Sequence, residues 1–117
     1  VGMVLVWSGV RSARWTEHWR NHDRLFARMI AADPRGYAGY WLAGVEASLQ
    51  KRPTEGLALL EKAYTLEHRD RGLILDLGQA LANHGRFARA DSVYREGLQR
   101  APGDSALNAR LRALPAR

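Results

Sequence analysis

From Arg71 to Asp104 the chain runs RGLILDLGQALANHGRFARADSVYREGLQRAPGD. Within it Ile74, Leu77-Gly78 and Leu81 recur at helical spacing, and Ala90, Tyr94 and Gly97 do the same before Pro102. The preceding stretch, Tyr37 to Asp70, places Tyr40, Ala43-Gly44, Ala47, Gly56, Leu60 and Ala63 at the same offsets. A register of 34 residues therefore relates Phe26, Leu60 and Tyr94, then Met29, Ala63 and Gly97, then Pro34, His68 and Pro102. A period of this length marks a repeat array, in which each unit is a supersecondary element that cannot bury its apolar face alone.

The physics of the spacing follows from side-chain size. Small residues at Gly44, Gly56, Gly78, Ala63, Ala90 and Gly97 let paired helices approach closely, while Tyr40, Leu60, Ile74 and Tyr94 fill the space between successive pairs. Glycine inside a helix costs about 1 kcal/mol against alanine, so close packing must return at least that much. Helix breaks fall where hairpins need them. Lys51-Arg52-Pro53-Thr54 puts Pro in a first turn, His84-Gly85 supplies a glycine stop, and Asp33-Pro34 and Ala101-Pro102-Gly103-Asp104 end the second helices. No alternating strand pattern or Asn-Gly hairpin signal occurs. Helices are expected at roughly 2–15, 17–32, 36–50, 53–67, 70–84, 86–101 and 104–114.

The unit at 71–104 resembles the tetratricopeptide repeat: a large residue, Leu-Gly, an aromatic slot filled here by Leu81, then Ala, an aromatic, a small residue and Pro. The unit at 37–70 follows the same pattern with His68 where Pro is usual. In the stretch before it, Phe26, Met29 and Pro34 fit a second helix over 16–34, whereas Gly9-Val10 and His22 depart from the pattern. Residues 105–117 read as a capping helix and tail, and 1–15 as an apolar N-terminal helix. The resemblance implies an all-α fold of tandem antiparallel helical hairpins, stacked as a short right-handed α-solenoid.

Composition fits one small domain, with 117 residues and 46% hydrophobic content. The absence of cysteine excludes disulfides, thiolate chemistry and Cys-type zinc sites. Lys and Arg outnumber Asp and Glu by 18 to 12, which raises nucleic-acid binding as a possibility. The excess lies in residues 1–36 and 105–117, however, and the repeats between are close to neutral. A phosphate-tracking surface needs a continuous basic stripe with stacking aromatics. The nearest approach is Arg20, Arg24 and Arg28 on one helical face beside Trp19 and His22, which reads as a solvated face or one lying against anionic headgroups. Nucleic acid is disfavoured as a partner.

Val1 to Val10 carries no charge, opens without Met, and is followed by Arg11, Arg14, Trp15 and Trp19. Ten residues are too few to cross about 30 Å of hydrocarbon, and the basic residues follow the apolar run, the reverse of a signal peptide. The segment is expected to be the outgoing end of a transmembrane helix cut from a longer chain, with Trp7, Arg11, Arg14, Trp15 and Trp19 membrane-proximal, or else an ordinary first repeat helix. A helix end, Arg-rich sequence, Trp19-Arg20-Asn21, Leu25-Phe26, Pro34 and then repeats is similar to the junction in polytopic membrane glycosyltransferases with tetratricopeptide tails, of the protein O-mannosyltransferase type. In that resemblance the catalytic acidic residues lie upstream of Val1. Arg11 and Arg14 favour a cytoplasmic tail, the glycosyltransferase resemblance an extracytoplasmic one, so the side of the membrane stays open.

Chemistry within the chain is sparse. His18 and His22 stand four apart beside Glu17 and Asp23, but no glutamate between them is placed as a general base, and they read as helix-surface residues. His68 and His84 fall near helix ends, where an imidazole meets terminal carbonyls. There is no phosphate loop, nucleophile elbow or Cys-His constellation, so no catalytic residue, metal or cofactor is expected.

Binding remains. The tetratricopeptide resemblance implies a concave groove lined by Ala38, Trp41, Val45, Ser48 and Leu49, then Leu75, Gln79, Ala82 and Asn83. Family members that clamp a C-terminal carboxylate use Lys, Arg and Asn there, and the mostly apolar residues here point instead to a helix or extended segment with an apolar face. Trp41 is expected either to anchor that partner or to pack on the neighbouring hairpin. The function expected is a membrane-tethered scaffold for a protein partner, with acceptor presentation to a glycosyltransferase as the alternative.

Overall fold

The computed structural model describes residues 23–115. They are helical at 23–32 (α1), Tyr37–Leu49 (α2), Pro53–Leu66 (α3), Arg71–Asn83 (α4), Phe87–Arg100 (α5) and Ser105–Ala113 (α6), with no strand among the described residues. The helix expected at 2–15 lies outside them. The fold is all-α, and adjacent helices pack in chain order, α2 on α3 through to α5 on α6, with α2 also touching α4. This arrangement is compatible with a helical repeat.

The 34-residue register governs where α2 to α6 start. α2, α4 and α6 begin at Tyr37, Arg71 and Ser105, and α3 and α5 at Pro53 and Phe87. The chain chemistry at these boundaries repeats as well. Asp70 caps α4 by accepting from the Leu73 N–H at 3.2 Å, and Asp104 caps α6 by accepting from Ala106 at 3.0 Å and Leu107 at 3.1 Å. Each cap satisfies backbone donors that a helix leaves without partners. The first residue of the helix 34 positions earlier then reaches the same carboxylate. Tyr37 donates its hydroxyl to Asp70 at 2.7 Å, and the Arg71 guanidinium pairs with Asp104. The hairpins are thus tied start to start.

The turns inside the hairpins repeat too. The Arg52 N–H donates to the Ala47 carbonyl at 3.0 Å, and the Arg86 N–H donates to Leu81 at 2.9 Å. Both closures need a left-handed residue just before them, supplied by Lys51 (φ 60°) and Gly85 (φ 74°).

Leu57, Leu60, Ala63, Tyr64, Leu73, Ile74, Leu77, Ala80, Leu81, Ala90, Val93, Tyr94 and Leu107 form one continuous core. Equivalent small residues fit equivalent large ones. A Cβ on Gly44 would lie 2.9 Å from Leu60 Cγ, and one on Gly78 would strike the Tyr94 ring. Between units the sizes exchange. Gly39 on α2 faces Met29, whereas 68 residues on, Leu107 on α6 faces Gly97.

Beside this core, Tyr64 donates to Glu96, and the Arg89 guanidinium lies 5.6 Å from the Tyr64 ring centre while pairing with Glu61 at 3.2 Å. Burial, and next the bond to Glu96, push the Tyr64 phenol up to about 12.

Candidate functional site

The side chains that the α2 and α4 faces present to one another decide what this seam can bind. The Trp41 indole stacks on Tyr37 with ring centres 6.0 Å apart, its N–H donates to Asp76 at 2.7 Å, and its edge comes so near Gly72 that a Cβ there would lie 2.9 Å away. Through these contacts Trp41 packs on the neighbouring hairpin. Leu75 is half-buried and packs on the core.

One helical turn further along both helices the seam opens into a cavity of about 320 Å³. Val45, Ser48, Leu49, Pro53, Leu60 and Ala80 line it with carbon-rich surface, and Asp76, Gln79, Asn83 and His84 bring polar groups to it. Val45, Ser48, Leu49, Gln79 and Asn83, expected from sequence to share a groove, therefore meet at one opening. Trp41 and Leu75 stand outside it. Leu49 is 75% exposed, more than Leu42 at 47%, so a large aliphatic side chain projects at its rim. Pro53, Leu60, Asp76, Ala80 and His84 complete the wall and were not expected there.

The hydroxyl, one amide and the imidazole of the cavity wall already donate within the protein. The Ser48 hydroxyl donates to the Gly44 carbonyl at 2.9 Å, and the Gln79 amide donates to Asn83 Oδ1 at 2.9 Å. His84 Nδ1 meets the Ala80 carbonyl at 2.9 Å, a bond that requires the proton on Nδ1 and leaves Nε2 of the neutral ring as an acceptor. Gln79 Oε1 accepts from Arg110 on α6. Asp76 is exposed, accepts from Trp41, and forms no ion pair with a described residue. It is the one carboxylate in the lining, and no Lys or Arg lines the cavity.

A second opening of about 240 Å³ lies between α1 and the α2–α3 hairpin, lined by Asp23, Phe26, Ala27, Ile30, Ala43, Ala47, Arg52, Glu55 and Leu59. Arg52 closes one side, pairing with Asp23 and Glu55, each at 3.1 Å.

Arg24 and Arg28 are exposed on α1. Arg20, the histidines at 18 and 22, and the membrane-proximal Trp7, Arg11, Arg14, Trp15 and Trp19 lie outside the described residues. Among the described residues no helix is long and apolar enough to cross a membrane, and no group of three His, Cys, Asp or Glu could hold a metal ion. At the end of α3, Arg100 donates to the His68 carbonyl at 3.0 Å, and the His68 ring stands edge-on to Tyr64. No known protein family matches the chain, and no curated protein matches it significantly. Neither the tetratricopeptide nor the glycosyltransferase resemblance gains support from that side.

Proposed function

We propose that this chain is a protein–protein interaction module of tetratricopeptide-like repeats, which holds an apolar-faced helix or extended segment of its partner in the seam between α2 and α4. The repeated ties Tyr37–Asp70 and Arg71–Asp104 and the repeated fits Gly44–Leu60 and Gly78–Tyr94 support the repeat reading. The observation that carries the binding role is the 320 Å³ opening with Leu49 projecting 75% exposed beside it. An apolar concavity with a few convergent polar groups is the usual form of a recognition site. In the same proposal the uncharged segment Val1–Val10 and the aromatics that follow it tether the module to a membrane.

The test is site-specific photocross-linking. A benzophenone side chain at position 49 should capture one partner, whereas the same group at exposed Ser92 on α5 should not. A peptide spanning the cross-linked segment should then bind the purified chain, and Leu49→Glu should weaken it at least about tenfold by removing apolar burial and adding charge. Equal capture from both positions, or unchanged affinity of Leu49→Glu, rejects the groove.

A further inference from the structure

Resting on the groove reading above, we propose that the segment this cavity receives carries a lysine or arginine among its apolar residues, and that the cationic head is read by Asp76. Three observations lead there. First, the wall is unbalanced in charge. Asp76 is the single carboxylate in the lining, no Lys or Arg lines it, and Arg110 on α6 reaches the lining only by donating to Gln79. A carboxylate-bearing ligand would meet like charge with no lysine or arginine in the wall to offset it.

Second, the wall is unbalanced in hydrogen bonding. The hydroxyl of Ser48, the Nδ1 proton of His84 and the indole proton of Trp41 are each used within the protein, on Gly44, Ala80 and Asp76. What remains is mainly acceptor capacity: the Asp76 carboxylate, the Ser48 oxygen and His84 Nε2, against the spare amide hydrogens of Gln79 and Asn83. A ligand that donates several hydrogen bonds is complementary to such a wall, and an ammonium or guanidinium donates three or five.

Third, the carboxylate is held in place. The Trp41 N–H bond at 2.7 Å fixes Asp76 from the α2 side, and the indole is itself fixed by Tyr37 and Gly72. A preset acceptor loses less conformational freedom on binding than a freely rotating one. The shape agrees with the charge. A lysine or arginine can lay its apolar stem along Val45, Leu49 and Ala80 while its head meets Asp76.

The test is an amide-resolved NMR titration of the 117-residue chain with four small probes: n-butylguanidinium, n-pentylammonium, 1-pentanol and hexanoate. The cations should shift the backbone amides of Gln79, Ala80, Asn83 and His84 saturably, about fivefold more tightly than pentanol, with hexanoate weakest. Asp76→Asn, which keeps an acceptor for Trp41, should reduce the cations to the level of pentanol. In the unmutated chain, raising salt from about 20 to about 300 mM should shrink the same preference, a readout that needs no folded variant. Pentanol binding as tightly as the cations would overturn the basic assignment and leave the groove standing. Preference for hexanoate would also overturn it, and silence of the cavity amides towards all four probes would reject the groove together with it.

Discussion

Gly78 on α4 lies so close to Tyr94 on α5 that a methyl group on its Cα would collide with the ring and its hydroxyl. Tyr94 is 1% exposed within the continuous core and cannot swing away without disturbing its packing. We expect Gly78→Ala to destabilise the chain by about 1–2 kcal/mol, because overpacking outweighs the gain of about 1 kcal/mol in helix propensity. Gly103→Ala is the control, since a Cβ there meets nothing within 4 Å. Urea titrations followed by circular dichroism separate the two. A neutral Gly78→Ala would mean that the α4–α5 contact is looser than the geometry requires.

The ties between hairpin starts give a second prediction. Asp70→Ala removes both the cap on Leu73 and the acceptor for Tyr37, and should cost about 1 kcal/mol. Asp70→Asn keeps a capping oxygen and should cost less. At the equivalent Asp104, the Arg71 guanidinium, and next the Leu107 N–H, hold the carboxyl below its usual range. Its contribution is therefore complete above that usual range and disappears as pH falls through the lower folded value. Acid titration of Asp104→Asn should show a shallower loss of stability than the unmutated chain. Identical acid profiles would count against the pairing.

Much of this was readable from residue spacing, because spacing records steric demands. Only a small residue fits opposite Leu60 or Tyr94, so Gly44 and Gly78 disclosed the helix contacts, and Pro53, Gly85 and Pro102 disclosed the breaks. Val45, Ser48, Leu49, Gln79 and Asn83 were named through the tetratricopeptide resemblance, and all five line the α2–α4 opening. Asp76 escaped, since its partner Trp41 is 35 residues away and their meeting depends on how two hairpins register. His84 was legible as a helix-end residue through its contact with Ala80, but its place in the cavity wall depends on the approach of α2 and Pro53. Charge counts along the chain could not show which arginines are neutralised, because Arg52, Arg71 and Arg89 find the carboxylates of Asp23, Asp104 and Glu61 only in the folded chain.

Alkaline pH should expose Tyr64. Its phenol ionises only at about 12 in the folded chain, against 10.0 for the ordinary group, because burial and Glu96 oppose the anion. The folded state thus holds the proton where the unfolded state has released it. Stability from this group is complete below pH 10 and is lost as pH rises from about 10 towards about 12. Tyr64→Phe should lower the melting temperature at neutral pH by removing the bond to Glu96, yet flatten the alkaline decline. A decline as steep in Tyr64→Phe as in the unmutated chain would assign it to Tyr94 and Tyr37, whose phenols are also raised.

The two hairpin turns offer a test in which one position serves as template for the other. Lys51 and Gly85 occupy the same place in the 34-residue register, both with left-handed backbone, and each precedes an N–H that closes on the helix before it. Glycine adopts that conformation freely, whereas a residue with a Cβ is strained there by about 1–2 kcal/mol. The Lys51 side chain is exposed, and no hydrogen bond or ion pair to a described residue offsets the strain. Lys51→Gly should therefore stabilise the chain by about 0.5–1 kcal/mol, the strain relieved exceeding the added entropy of the unfolded glycine. Gly85→Lys should do the reverse by about 1 kcal/mol, although a Cβ at Gly85 would meet nothing within 4 Å. Opposite signs from the two substitutions, read as midpoints of urea unfolding, would identify backbone conformation as the cause. Destabilisation by both would instead mean that the Lys51 stem packs on its surroundings and that the two turns are equivalent in path only.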